Sequence, residues 1–493
     1  MNPLWTLLPP LLVIPFILFF GEKYRNAREG AIIIAGLVLL FLNNQLYTAV
    51  INGEESISGT IAMFPSVGLR LSAEPLGVMF GLLASFLWVV TTVYSIGYMR
   101  GHEEKNQTRF YVCFAIALAA VMAAAYADNF LTLFVAYEVL TLSTFPLVTH
   151  AGTDKARKAG RVYLGLLIGG SIGLLMPAMI WIWATRGTLD FTPGGVLGET
   201  SQWEVLVLLA LCLFGIGKAA VMPFHRWLPA AMVAPTPVSA LLHAVAVVKT
   251  GVFSLLKIVV YIFGIDTLSV SGAGLWLAIF PAFTIVVASI IAFSKTNLKA
   301  RLAYSTISQL SYIVLAALLA SSISIAGGGL HIVTHAFSKI TLFFCAGAIM
   351  VAAHKTDITE MDGLGRRMPI TLLAFLIGSL GIIGVPPVAG MWSKIMIGQG
   401  TLVAGEVWLL GVLMLSTVMN VAYLLPIPVR AFFRPPPPEP PGHHDHAEHH
   451  ESGQGEAPFS CLWAIVLTAS ASLLLFFYPQ PLILLLENIR WRM

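Results

Sequence analysis

The sequence predicts an all-α polytopic membrane protein: about fourteen transmembrane helices, two inverted five-helix repeats, and discontinuous helices 7 and 12. Three observations lead there. Of 493 residues 57% are hydrophobic and 11% charged, with mean hydropathy +0.85, whereas soluble domains average ~25% charged. Runs of about 20 apolar residues, the length a bilayer core requires, fill the chain almost end to end, as in "YLGLLIGGSIGLLMPAMIWIWA". Clusters of proline and glycine interrupt two of these runs next to a lysine.

The spans lie near 3 to 20, 31 to 51, 75 to 99, 110 to 126, 129 to 149, 162 to 185, 204 to 222, 238 to 264, 272 to 294, 300 to 321, 327 to 353, 370 to 398, 405 to 432 and 461 to 486. The first has no basic n-region and no small-residue cleavage site behind it, so it reads as a retained helix. The runs are continuous and do not alternate, which excludes a β-barrel. Cys113, Cys212, Cys345 and Cys461 sit singly in different spans. Without Cys/His ligand spacing there is no basis for an iron–sulfur cluster, a structural zinc or a disulfide. The expectation is no cofactor and no metal, with any redox chemistry left to a partner.

Lysine and arginine distribution sets the orientation. Connectors after odd-numbered spans hold 19 of the 28 basic residues, and the opposite side has only Arg70, Arg186, Arg490 and Arg492. The odd connectors are therefore expected in the cytoplasm, with both termini on the non-cytoplasmic side of the cell (inner) membrane. The net charge of +4 is a topology signal and not a nucleic-acid footprint.

The remaining five basic residues, Lys218, Lys249, Lys257, Lys339 and Lys394, all fall within spans. Among the acids only Glu138 lies deep in one, ten residues after Asp128, ~15 Å along a helix and near the midplane. Such groups cost several kcal/mol each unless paired or hydrated, and they mark ion pathways or proton relays. Lys257, nearest a helix end, is the one for which an ordinary structural pair is a serious alternative. A Glu138 and Lys218 pair would be a two-state device, holding the lysine's proton when close and releasing it when apart.

Histidines extend the set. In "HIVTHAFSKITLFFCAG", His331, His335 and Lys339 are spaced i, i+4 and i+8, on one helix face. "SALLHAVAVVKTGVFSLLK" adds His243, six residues from Lys249, so water would have to link the two. The tenth span carries Tyr304, Ser305, Thr306, Ser308, Gln309, Ser311 and Tyr312, groups able to line a hydrated wire or to pack helices together.

Pro223, Pro229, Pro235 and Pro237 follow Lys218, and Gly384, Pro386, Pro387 and Gly390 precede Lys394. No straight helix survives either cluster, and non-helical backbone at membrane depth requires surrounding protein or a hydrated cavity. Paired breaks of this kind point to inverted repeats around a midplane ion site. The expected organisation is helices 1–3 over residues 1–105, a first repeat over 106–270, a second over 271–432, a Pro/His-rich cytoplasmic loop over 433–460 and a last helix over 461–493.

The motifs "GKAAVMPFHRWLPAAMVAPTPVSALLHAVAVVKTG", "AYSTISQLSYI", "HIVTHAFSKITLFFCAG" and "GVPPVAGMWSK", in this order, resemble the antiporter-like membrane subunits shared by Mrp-type Na+/H+ antiporters, membrane-bound hydrogenases and respiratory complex I. The resemblance spans residues 65 to 430. It implies a fourteen-helix fold with helices 7 and 12 discontinuous. It also implies that Glu138 modulates Lys218, that Lys249 is the central helix-eight lysine with His243 beside it, and that Lys394 is the terminal helix-twelve residue. The chain ends soon after span fourteen, without the long lateral helix of one complex I class, so the resemblance favours the D class of Mrp antiporter subunits. Helix eleven, with two histidines and a lysine, looks more like the lateral-helix class.

The expected function is proton translocation within a multisubunit membrane complex, alongside further antiporter-like subunits, with H+ and Na+ as the ions. The alternatives are a redox-driven hydrogenase or NADH-quinone oxidoreductase, an inorganic-carbon uptake complex, an independent solute transporter and a structural filler of a membrane arm. His443, His444, His446, His449 and His450 occupy the polar loop, whose composition implies no fixed metal geometry.

Overall fold

The computed structural model describes residues 1–64, 67–436 and 455–489, apart from the side chain of His243. Residues 437–454 of the Pro/His-rich loop, with its five histidines, and the pair Arg490 and Arg492 lie outside the described residues.

The chain is a bundle of long helices. The N-terminal group comprises α1 (Pro3–Phe20), α2 (Arg25–Ile51) and α3 (Pro75–Gly101). Next come α4 (Gln107–Ala125), α5 (Phe130–Val148), α6 (Asp154–Arg186), α7 (Gln202–Gly215) and α8 (Val247–Phe263). The second half holds α9 (Ala273–Ser294), α10 (Leu298–Leu318), α11 (Ser322–Ala353), α12a (Pro369–Ile383), α12b (Gly390–Val403), α13 (Val407–Phe433) and α14 (Phe459–Phe477).

Among the described residues ten helices are long and apolar enough to cross a membrane, and an eleventh is reached if α8 is joined to Ile265–Ser271, from which it bends by 83° at Gly264. Glycine is required there, since its φ is +79°. The predicted spans that miss this standard are the seventh and twelfth, cut short by their breaks, and the tenth, whose hydroxyls and amide lower its hydropathy. The features that weaken them as membrane spans are those the site uses.

α3 and α11 are buried around most of their surface, whereas α1, α2 and α9 turn Phe16, Phe19, Ile34, Leu37, Ile279 and Phe283 outward, as lipid-facing helices do. One feature was not anticipated from sequence: Ile61–Phe64 pairs antiparallel with Val67–Leu69, with Ile61 opposite Leu69, in the connector after α2. The connectors sort onto two faces. One cavity of 560 Å³ is lined by His102, Glu104, Pro235 and Lys355, from connectors after odd-numbered helices, and by Lys155 and Lys299, at the starts of the even-numbered helices α6 and α10. A second, of 420 Å³, is lined by Glu55, Arg70, Glu74, Asp128, Phe191 and Asn488, from connectors after even-numbered helices and the C-terminus.

Candidate functional site

The first break corrects the sequence reading. Span seven was expected to run to residue 222 with Lys218 inside it, ahead of the break. The helix stops at Gly215, and Lys218 sits within the break, in the tight turn Gly217–Ala219. Two contacts explain the early stop. Gly215 presses on the backbone of Leu175, leaving no room for a side chain. The Lys218 amide donates to the Tyr137 hydroxyl at 3.1 Å in place of a helical carbonyl. Trp227 Nε1 donates to the Gly217 carbonyl at 2.9 Å and the Met222 amide to Thr284 Oγ1 at 3.1 Å, so neighbouring helices satisfy the freed backbone groups. At Gly251, α8 crosses this turn so closely that a Cβ would lie 2.7 Å from Lys218 Cβ.

Lys218 is fully buried. Its ammonium donates to the Tyr137 carbonyl at 2.8 Å and to Thr141 Oγ1 at 2.6 Å, and lies 3.0 Å from the centroid of the Tyr137 ring. Glu138, the expected partner, interacts with it electrostatically but makes no direct ion pair with it, and Glu138 Oε1 is buried without a hydrogen-bond partner among the described residues. The two stand in the separated form of the relationship expected from sequence.

Lys249 Nζ and His335 Nδ1 meet at 2.6 Å between α8 and α11. From His335 the ring of His331 is 5.8 Å away. His331 Nδ1 is 2.9 Å from Ser393 Oγ on α12b, and its ring stacks on Tyr312 of α10 at 5.7 Å. Lys394 Nζ lies 4.9 Å from the centroid of the same Tyr312 ring. It also donates to the carbonyl of Ile383 at 3.0 Å. Ile383 ends α12a, so Lys394 reaches back across the break and caps a helix terminus whose unpaired carbonyls favour a cation. Gly384, with φ +84°, makes room for the lysine stem.

Lys339 lies elsewhere. A step of eight residues turns a helix by about 80°, and Lys339 points to α10, where it donates to Ser305 Oγ at 2.8 Å and to the Leu302 carbonyl at 3.4 Å. The Tyr423 hydroxyl of α13 donates to the same Ser305 oxygen at 3.0 Å and also bonds Asn420 Oδ1. The spacing put His331, His335 and Lys339 on one helix face; the contacts place His331 between His335 and Lys394, with Lys339 on a side branch. His243 falls in the turn Leu241–Val245, and its side chain lies outside the described residues.

Lys257 has the direct ion pair that Lys218 lacks. Its Nζ is 3.1 Å from Glu74 Oε1 and donates to the Ala125 carbonyl at 3.1 Å. Glu74 caps α3 through the amides of Leu76 and Gly77 and accepts from the Tyr261 hydroxyl at 2.8 Å. Sequence reasoning missed Glu74 because it lies in a connector, although an acid directly before Pro75 at a helix start is a legible capping signal. It also missed Tyr137, Thr141, Ser393 and Tyr423, whose residue types are common in membrane helices for packing alone. Of the polar residues expected on the tenth span, Ser305 and Tyr312 join the site. Ser308 bridges to Ser289 and Ser416, while Thr306 and Ser311 bond back to their own helix.

A polytopic helical bundle with broken helices and a buried line of lysines and histidines across its middle defines a multi-span membrane protein with titratable groups in its interior. The model of the family described as NADH:quinone oxidoreductase/Mrp antiporter, TM, matches residues 127–420, and the chain belongs to that family. Among its relatives are the NADH-quinone oxidoreductase subunit L of Mycobacterium tuberculosis, 30% identical over 485 residues, covering 95% of this chain and 74% of the relative, and subunit N of Desulforudis audaxviator, 28% identical over 442 residues, covering 88% and 85%. Two solved structures share the fold. A chain of the archaeal membrane-bound sulfane sulfur reductase has TM-score 0.83 and 22% identity, covering 98% of this chain and 96% of that one. A chain of the Mrp complex from Dietzia has TM-score 0.82 and 20% identity, covering 99% and 94%.

Proposed function

We propose that this chain is a proton-translocating subunit of a multisubunit inner-membrane complex, assembled with other antiporter-like membrane subunits. The single observation that carries the reading is the contact sequence Lys249, His335, His331, Tyr312 and Lys394, a line of titratable groups and one aromatic ring across the interior. Each ammonium in it is solvated by an imidazole, a carbonyl or a ring face, which keeps a buried cation tolerable without locking it into a permanent ion pair. Protons enter from the 560 Å³ cavity on the face that the basic residues predict to be cytoplasmic. They reach Lys249 by way of the helix-eight turn containing His243, pass along the line, and leave beyond Lys394. The separated Glu138 and Lys218 pair gates the line, because α8 rests on the Lys218 turn two residues after Lys249. Lys339 serves as a side store of charge beside Ser305.

In this reading the parent complex is an Mrp-type monovalent-cation (Na+)/H+ antiporter, in which the chain takes a D-class position. A redox-driven parent is the second reading, favoured by the identity to subunit L chains and by the two histidines of α11. The test has two parts. Lys249, His331 and Lys394 are replaced singly by alanine, and proton uptake by inverted vesicles holding the assembled complex is followed with a pH-sensitive dye. At least a 10-fold loss is expected for each, and wild-type uptake in all three would overturn the reading. Co-purifying subunits then separate the parents: hydrophilic iron–sulfur proteins in the native complex would exclude the pure antiporter.

A further inference from the structure

The Lys257 and Glu74 pair has no part in the line just described, and it sits at the floor of the 420 Å³ cavity on the opposite face from the entry cavity. Lys257 is 1% exposed while Glu74 is partly open, so the pair joins the interior to the cavity. The groups facing Lys257 are known from each neighbouring element: Glu74 from the start of α3, the Ala125 carbonyl from the end of α4, Asp128 from the following connector, the ring of Phe191, and Phe253 and Tyr261 from α8 itself. Asp128 is held by Arg70, which also pairs with Asp190 at 3.4 Å, leaving Glu74 as the direct acceptor for the lysine. On the inner side, Thr250 and Ser254 are spaced four residues apart on α8, with Lys257 three further on, all on one helix face next to Lys249. Both hydroxyl oxygens are fully buried, and among the described residues no protein group partners either one. Buried hydroxyls left by the protein are usually satisfied by water.

We propose that Lys257 and Glu74 form a second proton port, a branch from Lys249 past Thr250 and Ser254 to Lys257 and then through Glu74 into the cavity. The inference rests on the proton-translocating reading above. The Lys257 ammonium gives a proton to the Glu74 carboxylate across 3.1 Å, leaving a neutral amine and a carboxylic acid. The acid then gives the proton to water in the cavity, restoring the carboxylate and forming hydronium. A proton arriving from Lys249 restores the ammonium, and no other reactant is consumed.

The discriminating variants are Lys257→Arg and Glu74→Gln, each added to Lys394→Ala, which closes the main exit, and assayed in the assembled complex beside Lys249→Ala. Arginine keeps a cation beside Glu74 but does not release its proton at any working pH. The port predicts that both complexes assemble in wild-type amounts and that the residual transport left by Lys394→Ala falls at least 10-fold further. A purely structural pair predicts that Lys257→Arg leaves that residual transport unchanged. That outcome together with a dead Lys249→Ala overturns the port and leaves the main line standing, whereas wild-type transport in Lys249→Ala removes the reading beneath both. Should Lys257→Arg fail to assemble, Asn488→Cys on the cavity wall decides. On the Lys394→Ala background, labelling the assembled protein there with a bulky membrane-impermeant thiol reagent should slow the residual transport several-fold relative to the labelled Lys394→Ala chain. No change on labelling overturns the port.

Discussion

The ammonium of Lys218 donates to the carbonyl of Tyr137 at 2.8 Å, and the carboxylate of the very next residue, Glu138, has an oxygen buried without a partner. A cation and an anion that are neighbours but not in contact make a device with a second arrangement available, in which a small shift of α5 or of the Lys218 turn closes the pair. The hydroxyl of Thr141 is what competes with Glu138 for the lysine.

That competition is testable through Thr141. Thr141→Val removes one of the two oxygens that solvate the ammonium, a bond of about 1.5–3 kcal/mol to a charged group. Proton transport of the assembled complex should change by roughly 10-fold or more, while Thr141→Ser stays near wild type. Equal rates for valine and wild type would show that Thr141 does not hold the lysine.

Gly251 supplies a steric test of the gate. A Cβ there would lie 2.6 Å from the Lys218 carbonyl carbon and 2.7 Å from its Cβ, against backbone that cannot step aside cheaply. Gly251→Ala should push α8 off the turn at a cost of about 1–3 kcal/mol, as overpacking does. Loss of transport with a lowered thermal midpoint is the expected result, and Gly251→Ser should be no better.

The ring of Tyr312 separates His331 from Lys394, while its hydroxyl is committed to the Leu413 carbonyl at 3.1 Å. Tyr312→Phe keeps the ring and should retain most transport. Tyr312→Leu removes a cation–π contact of about 2 kcal/mol in a desolvated site and should cost roughly 30-fold. Transport rates of the two variants, measured side by side, check that the ring face and not the hydroxyl matters.

Outside the bundle, Asp362 fastens the connector between α11 and α12a to the end of α13. Arg430 donates to it twice, at 2.8 and 3.0 Å. Those hydrogen bonds, with the charges of Arg430 and Arg434, hold the Asp362 carboxyl below the usual aspartate range. A depressed carboxylate contributes stability that is complete above the ordinary aspartate value, about 4, and is lost as pH falls through the folded-state value. Hydrogen exchange of the connector around Asp362, corrected for intrinsic rates, should therefore be flat from pH 5 to 8 and accelerate below about 4. Asp362→Asn should show the accelerated behaviour already at pH 7.

Much of the site was legible in the chain because charge is expensive in an apolar solvent. Lys218, Lys249, Lys257, Lys339 and Lys394 announce themselves by lying in apolar runs, and all five are buried or enclosed by protein in the fold. Glu74 and Ser393 did not, since an acid in a connector and a serine in a helix are ordinary in sequence. Their importance comes from what a distant segment brings to them: Lys257 from 183 positions along the chain for Glu74, and His331 from α11 for Ser393. The stop of α7 at Gly215 was equally invisible, because it is imposed by Leu175 and by a hydroxyl on another helix.

By itself the sequence determined the solvent of this protein, the broken character of helices 7 and 12 and the identity of the buried cations, since hydropathy, proline chemistry and the cost of a buried charge are local properties. Only the tertiary structure decided which cation meets which partner. It left Lys218 with carbonyl, hydroxyl and ring in place of Glu138, placed His331 and not Lys339 on the way to Lys394, and gave Lys257 to Glu74. Those choices depend on helix packing, where a turn of about 40° per four residues separates groups that spacing alone puts on one face.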